Sequence, residues 1–153
     1  MYSKSEAKAL KQEFWTTFGK WSLQKRKSRG KGRWLLNKTG VKGFRFKFET
    51  GRKTICVCLE IIDNDAIIRE IRYEKLLQLK ELFDEAMNNE LIWEQEHFIT
   101  PEKSIVRVFV KKEGLTPNNK NHWPEIFSFF YEKMNTFEEV FLEYKELLDE
   151  NNY

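Results

Sequence analysis

The sequence predicts one α+β domain over residues 1–153: a four-stranded, mostly antiparallel sheet of two hairpins, with helices packed on one face, in the order α-ββ-α-ββ-α. Apolar residues recur at helical spacing in three stretches and alternate with polar ones in two paired stretches. No linker rich in Pro, Gly or Ser divides the chain into two cores. A chain of this length buries roughly 70% of its unfolded surface and needs no disulfide or metal staple.

Ser3 and Glu6 have the spacing of a capping box, and Ala7, Leu10, Phe14, Phe18 and Trp21 follow at helical intervals. A first helix is therefore expected from about Lys4 to about Ser22. Gln24 to Arg33 is polar and basic and carries Gly30 and Gly32, so it reads as a solvated loop free to follow a backbone. Trp34-Leu35-Leu36 reads as a short strand or the lip of the core.

From Val41 the period is two. Phe44, Phe46 and Phe48 share one face, Arg45 and Lys47 the other, and Thr50-Gly51-Arg52 offers a tight turn. Ile55, Val57, Leu59 and Ile61 form the apolar face of the partner strand. Asp63-Asn64-Asp65 supplies the cap of a second helix, whose stripe is Ile68, Arg72, Leu76, Leu79, Phe83 and Met87 and whose end lies near Asn88-Asn89.

A third strand spans about Leu91 to Phe98, and Thr100-Pro101 turns the chain. Val106, Val108 and Val110 then alternate with Ile105, Arg107, Phe109 and Lys111. Gly114 to Asn121 connects to a third helix, where Pro124 fits the first turn because its missing N–H costs nothing there. Ile126, Phe130, Phe137, Phe141, Tyr144 and Leu148 continue that stripe, with a break expected near Asn135-Thr136.

The net charge of +3 hides an asymmetry. Residues 1–53 hold 16 Lys and Arg against 3 Asp and Glu, whereas residues 54–153 hold 11 against 21. Such a split fits either a basic face for an anionic partner or two poles of one domain that attract each other. No run approaches the ~18 apolar residues of a membrane helix, and the polar start is unlike a signal peptide. Cys56 and Cys58 fall on one face of a strand. With only His97 and His122 elsewhere, neither in a ligand pair, they are expected to be buried free thiols rather than metal ligands. These features predict a cytoplasmic protein with no membrane attachment, no metal and no cofactor.

Catalytic signatures are absent from the sequence. It contains neither GxxxxGK[ST] nor GxGxxG nor GxSxG, and its two histidines have no identifiable nucleophile. Metal-dependent nucleases of the kind built on helix, three strands, helix and strand need an Asp followed by [DE]xK on the next strand, to hold Mg²⁺ and steady the attacking water. The element order fits if Trp34-Leu36 is a strand, but the residue two after Glu60 is Ile62 rather than Lys. Glu49 with Glu60 is the remaining carboxylate couple.

The basic segment is the strongest local feature. Lys20, Lys25, Arg26, Lys27, Arg29, Lys31 and Arg33 lie within fourteen residues and are bracketed by Trp21 and Trp34. Cations neutralise phosphates and exposed aromatics stack on bases. With Arg45 and Lys47 these are the candidate nucleic-acid contacts. The alternative is an ordinary solubilising excursion, with both tryptophans in the core.

Tyr2-Ser-Lys-Ser-Glu-Ala-Lys-Ala-Leu-Lys-Gln-Glu-Phe-Trp15 resembles the start of the bacterial domain-of-unknown-function family 4268. So do Trp34, Asn37-Lys-Thr-Gly-Val-Lys42, Phe44-Arg-Phe-Lys-Phe48 and Val57-Cys-Leu-Glu-Ile61, as well as Trp93-Glu94 and Trp123-Pro-Glu-Ile-Phe-Ser-Phe-Phe130. The resemblance covers nearly the whole chain. Similar proteins occur as small single domains or appended to restriction-nuclease-like modules, which implies work around DNA and assigns no catalytic residue. Three functions follow as expectations. The first is a nucleic-acid-binding (DNA or RNA) or nuclease-accessory module using the basic half. The second is a protein-interaction module using Glu138, Glu139, Glu143, Glu146, Asp149 and Glu150, and the third is a divergent metal-dependent nuclease.

Overall fold

The computed structural model describes residues 3–149. Its elements are α1 (Lys4–Ser28), β1 (Phe44–Thr50), β2 (Thr54–Ile61), α2 (Ala66–Leu77), α3 (Lys80–Ala86), β3 (Ile92–Thr100), β4 (Lys103–Glu113), α4 (Trp123–Glu143) and α5 (Lys145–Leu148), with a single 3-10 turn at Lys120–His122. The four strands form one antiparallel sheet in the order β1-β2-β4-β3, so the α+β class and the two hairpins are as the sequence predicts.

Register follows from the alternation of side chains. Phe46 pairs with Leu59, Leu59 with Val108 and Val108 with Trp93, which puts one apolar row across all four strands. That face packs against Phe14 and Phe18 of α1, Leu76 of α2, Phe83 of α3, and Ile126, Phe130, Phe137 and Phe141 of α4. Phe44 and Phe46 are buried, and Phe48 is half-buried against Trp15, Phe18 and Phe130. The opposite face carries the row Arg45, Glu60, Arg107, Glu94, in which the sign of charge alternates from strand to strand. β3 is an edge strand whose pairing shifts register between Glu94 and His97 and again between Phe98 and Thr100.

Three boundaries differ from expectation, and a fourth segment takes one of its two expected forms. α1 runs six residues beyond Ser22, because Leu23-Gln-Lys-Arg-Lys27 are all good helix formers and cations offset the partial negative charge of a helix C-terminus. Its last residue is Ser28, and Gly30 closes the end beyond the Arg29 cap, its φ of +73° letting the Gly30 N–H reach Lys27 O and the Lys31 N–H reach Arg26 O. The segment read as a loose loop is thus largely helix plus its cap.

Trp34-Leu35-Leu36 is irregular, the lip of the core rather than a strand. Leu36 accepts one bond from the Phe46 N–H and has a φ of 41°. The second predicted helix is two, interrupted at Gln78-Leu79, with Asp65 capping α2 through Oδ1. α4 continues without a break through Asn135-Thr136. Asn135 turns its side chain toward Arg26 and Trp34 instead of leaving the helix.

Phe130 is fully buried and touches Phe14, Trp15, Phe18 and Phe48, so it joins α1, β1 and α4. Phe130→Ala removes that junction and is expected to cost about 3–5 kcal/mol, read as a lower urea midpoint with an unchanged slope. A loss under about 1 kcal/mol would mean that the core is not organised around this ring.

Candidate nucleic-acid interface

The buried residues of α1 are Leu10, Phe14, Phe18, Ser22 and Arg26, a stripe spaced by four. Arg26 therefore extends the core-facing row while the cations around it point outward. Its guanidinium donates from Nε to Gly32 O at 2.6 Å, from Nη1 to Asn135 Oδ1 at 2.7 Å and from Nη2 to Glu138 Oε1 at 2.8 Å. The same plane lies 4.9 Å over the Trp34 ring.

Asn135 Oδ1 also accepts from Trp34 Nε1, and Glu138 Oε2 accepts from the Leu35 N–H. Gly32, Trp34 and Leu35 are thereby fastened to α1 and α4. The expectation that Arg26 touches phosphate and that Glu138 belongs to an acidic docking face is corrected: both are buried and satisfy each other. Charge attraction between the two halves of the chain is thus realised inside the fold. Glu139, Glu143, Glu146 and Asp149 are exposed as expected, whereas Glu150 lies outside the described residues.

The other expected cations emerge around this anchor. Lys25, Lys27, Arg29, Lys31 and Arg33 are all exposed at the end of α1 and in the turn beyond it, and Lys20 is exposed one turn or more before. Lys25 sits 4.7 Å over Trp21 and 5.3 Å over Tyr131, and Arg29 is 5.8 Å over Tyr131. Lys31 makes a loose pair with Glu139 at 3.9 Å. Trp21 and Trp34 are half-buried and packed on the core, as their place in the apolar pattern predicts.

Beside the basic turn a cleft of about 250 Å³ opens between α1, residues 33–36 and β1. Trp15 and Trp34 each pack on Phe18 and Phe48, which makes the two phenylalanines a floor between two indoles. A second hollow continues past Trp15 and Phe48 to Arg45 and Lys47. Sequence reasoning missed Trp15 and Phe48 as parts of a site: Phe48 reads as one of three core-facing strand residues, and Trp15 simply adjoins Phe14 of the first stripe. No pattern distinguishes a ring that floors a cleft from one that fills a core.

Arg45 and Lys47 belong to the helix-free face of the sheet. Arg45 Nε donates to Glu60 Oε1 and Arg107 Nε to Glu60 Oε2, both at 2.7 Å. Arg107 Nη1 reaches Glu49 Oε2 at 2.7 Å. Glu60 is fully buried with both oxygens given to guanidiniums, so a metal ion bound there would lie against two fixed positive charges. Among the described residues no three His, Cys, Asp or Glu side chains are grouped to hold a metal. His122 accepts the Thr116 N–H at Nδ1 and steadies the connection before α4, and His97 Nδ1 bonds Glu94.

Cys56 and Cys58 are free and buried on this same sheet face. Burial pushes both thiols above their ordinary value of 9.0, Cys58 most strongly. No described helix is long and apolar enough to cross a membrane.

Arg26→Ala and Glu138→Ala should each lower stability by about 3–5 kcal/mol, since each leaves the other charge buried alone. The double change Arg26→Met with Glu138→Leu should recover most of that loss, and additive losses in the urea series would contradict the pairing. The thiols give a test in pH. Folded-state values above 9.0 mean that stability is intact below about pH 9 and falls above it, as the unfolded thiols ionise first. Native protein at pH 8 should react with a thiol reagent far more slowly than unfolded protein. The variant with both cysteines replaced by Ala should lose less stability between pH 8 and pH 10.

No curated protein and no solved structure matches the chain. Residues 10–145, nearly the whole length, match the family described as a domain of unknown function (DUF4268), and the chain belongs to that family.

Proposed function

We propose that the protein binds nucleic acid, with the phosphate backbone held by the cations around the C-terminal end of α1. One observation carries this reading: Lys25, Lys27, Arg29, Lys31 and Arg33 are presented together while Arg26, the inward cation of that segment, fastens the turn that presents them. Helix-dipole compensation accounts for Lys25 and Lys27 but not for three further cations beyond the last helical turn. The turn is held at Gly32, Trp34 and Leu35, so its charges are positioned with little ordering entropy left to lose on binding.

A second reading, a protein-interaction module, is supported by the groove between α3 and α4. Leu82, Ala86, Val140 and Tyr144 line it and Glu85 and Glu143 rim it. The nuclease reading has less support, since Glu49 and Glu60 are engaged by Arg107.

Five phosphate contacts imply a log–log salt slope of about −4.5 on duplex DNA and about −3.5 on a single strand. Fluorescence anisotropy across a salt series reads it. Replacing Lys25, Lys27, Arg29 and Arg33 with Gln should flatten the slope by about three units with little change in melting temperature. Wild-type protein that ignores oligonucleotides at low salt would overturn the proposal and put the α3–α4 groove first.

A further inference from the structure

Gly19 stands in the middle of α1, where glycine is less favourable than alanine because it adds backbone freedom to the unfolded chain. Two common reasons for a helical glycine fail here. Its backbone is ordinary right-handed helix, and a Cβ built on it would meet nothing within 4 Å. The space it leaves is the cleft between Trp15 and Trp34, which Gly19 lines together with Phe18, Phe48 and Arg33. On the helix surface Trp15, Gly19, Ser22, Leu23 and Arg26 form one stripe, so a side chain at 19 would project into the slot.

We infer that this slot takes one unpaired nucleobase of a single-stranded nucleic acid, stacked over the aromatic floor while the adjacent cations hold its phosphates. The inference rests on the nucleic-acid reading and assigns it a strand type. Three features point to that occupant. Half-buried Trp15, Trp34 and Phe48 line the space with Phe18 buried beneath them, and base–aromatic stacking tolerates any base. Its volume of about 250 Å³ is below the ~300–1,000 Å³ of pockets that enclose drug-sized ligands and suits a single planar group. Arg33 stands on its rim beside the exposed Lys25, Lys27, Arg29 and Lys31 of the same turn, which complements the phosphates that flank a bound base. A base inside a duplex is already stacked and paired and would have to leave its helix to reach the floor.

Two strands of equal length separate this inference from the reading beneath it: oligothymidine, and the same backbone made of abasic residues. Wild-type protein should bind oligothymidine between about fivefold and a hundredfold more tightly than the abasic strand. Gly19→Leu should erase that preference while keeping the affinity for the abasic strand and its salt slope. Gly19→Ala, which leaves most of the slot open, should keep the preference and raise the melting temperature by about 2–4 °C. Equal wild-type binding of both strands, or an undiminished preference in Gly19→Leu, would overturn the slot and leave phosphate binding standing. Failure to bind either strand would overturn the slot, and failure to bind duplex as well would overturn both.

Discussion

The Arg26–Glu138 pair is the constraint on which the rest of this structure depends. Burying two opposite charges carries a desolvation cost that their attraction repays only when every remaining donor and acceptor is satisfied. Here Gly32 O, Asn135 Oδ1 and the Leu35 N–H supply those partners, and Trp34 Nε1 shares Asn135 Oδ1, so the pair organises a network across three parts of the chain. α1 is held to α4, and the segment between α1 and β1 is held to both. It fixes Trp34 through Asn135 and the guanidinium over its ring, in addition to the contacts Trp34 makes with Phe18, Phe48 and Tyr131, and it ties the basic turn to both helices. The ion pair is thus better understood as fixing a position than as adding stability.

The two faces of the sheet solve the burial problem differently. On one, four strands and the helices share an aromatic core that runs from Phe14 to Phe141. On the other, Glu60 and Arg107 are buried charges that bond each other and are completed by Arg45 and Glu49. Arg45, Glu60, Arg107 and Glu94 alternate in sign across adjacent strands, so a slip of one residue on any strand would set charges against apolar side chains. Cys56 and Cys58 sit under the same canopy of long side chains.

The parts of the fold governed by local repetition were legible in the sequence. Phe44-Arg-Phe-Lys-Phe48 is a strand by alternation alone, and Ser3 and Asp65 mark helix starts through their side-chain chemistry. What was hidden depended on distinctions the local sequence does not make. Seven cations between Lys20 and Arg33 look equivalent, yet only Arg26 continues the four-residue spacing of Leu10, Phe14, Phe18 and Ser22 into the interior. That spacing was present to be read, and so was Gly30 as the residue that ends a helix rather than loosens a loop. The cleft was not legible, because Trp15, Trp34 and Phe48 serve the core and the cavity at once.

A four-stranded open sheet presents two outer edges to every other copy of itself in the cell. β1 closes part of its edge internally: the Phe46 N–H is given to Leu36 and the Phe44 carbonyl accepts from the Thr39 hydroxyl. β3 carries exposed Phe98 and Ile99, the side chains that would make a foreign strand adhere. Its two register shifts fall among and beside those residues and break the run of evenly spaced N–H and C=O groups that such a strand would need. The irregularity of β3 therefore limits self-association, leaving the protein with apolar side chains at an edge but no regular template for polymerisation.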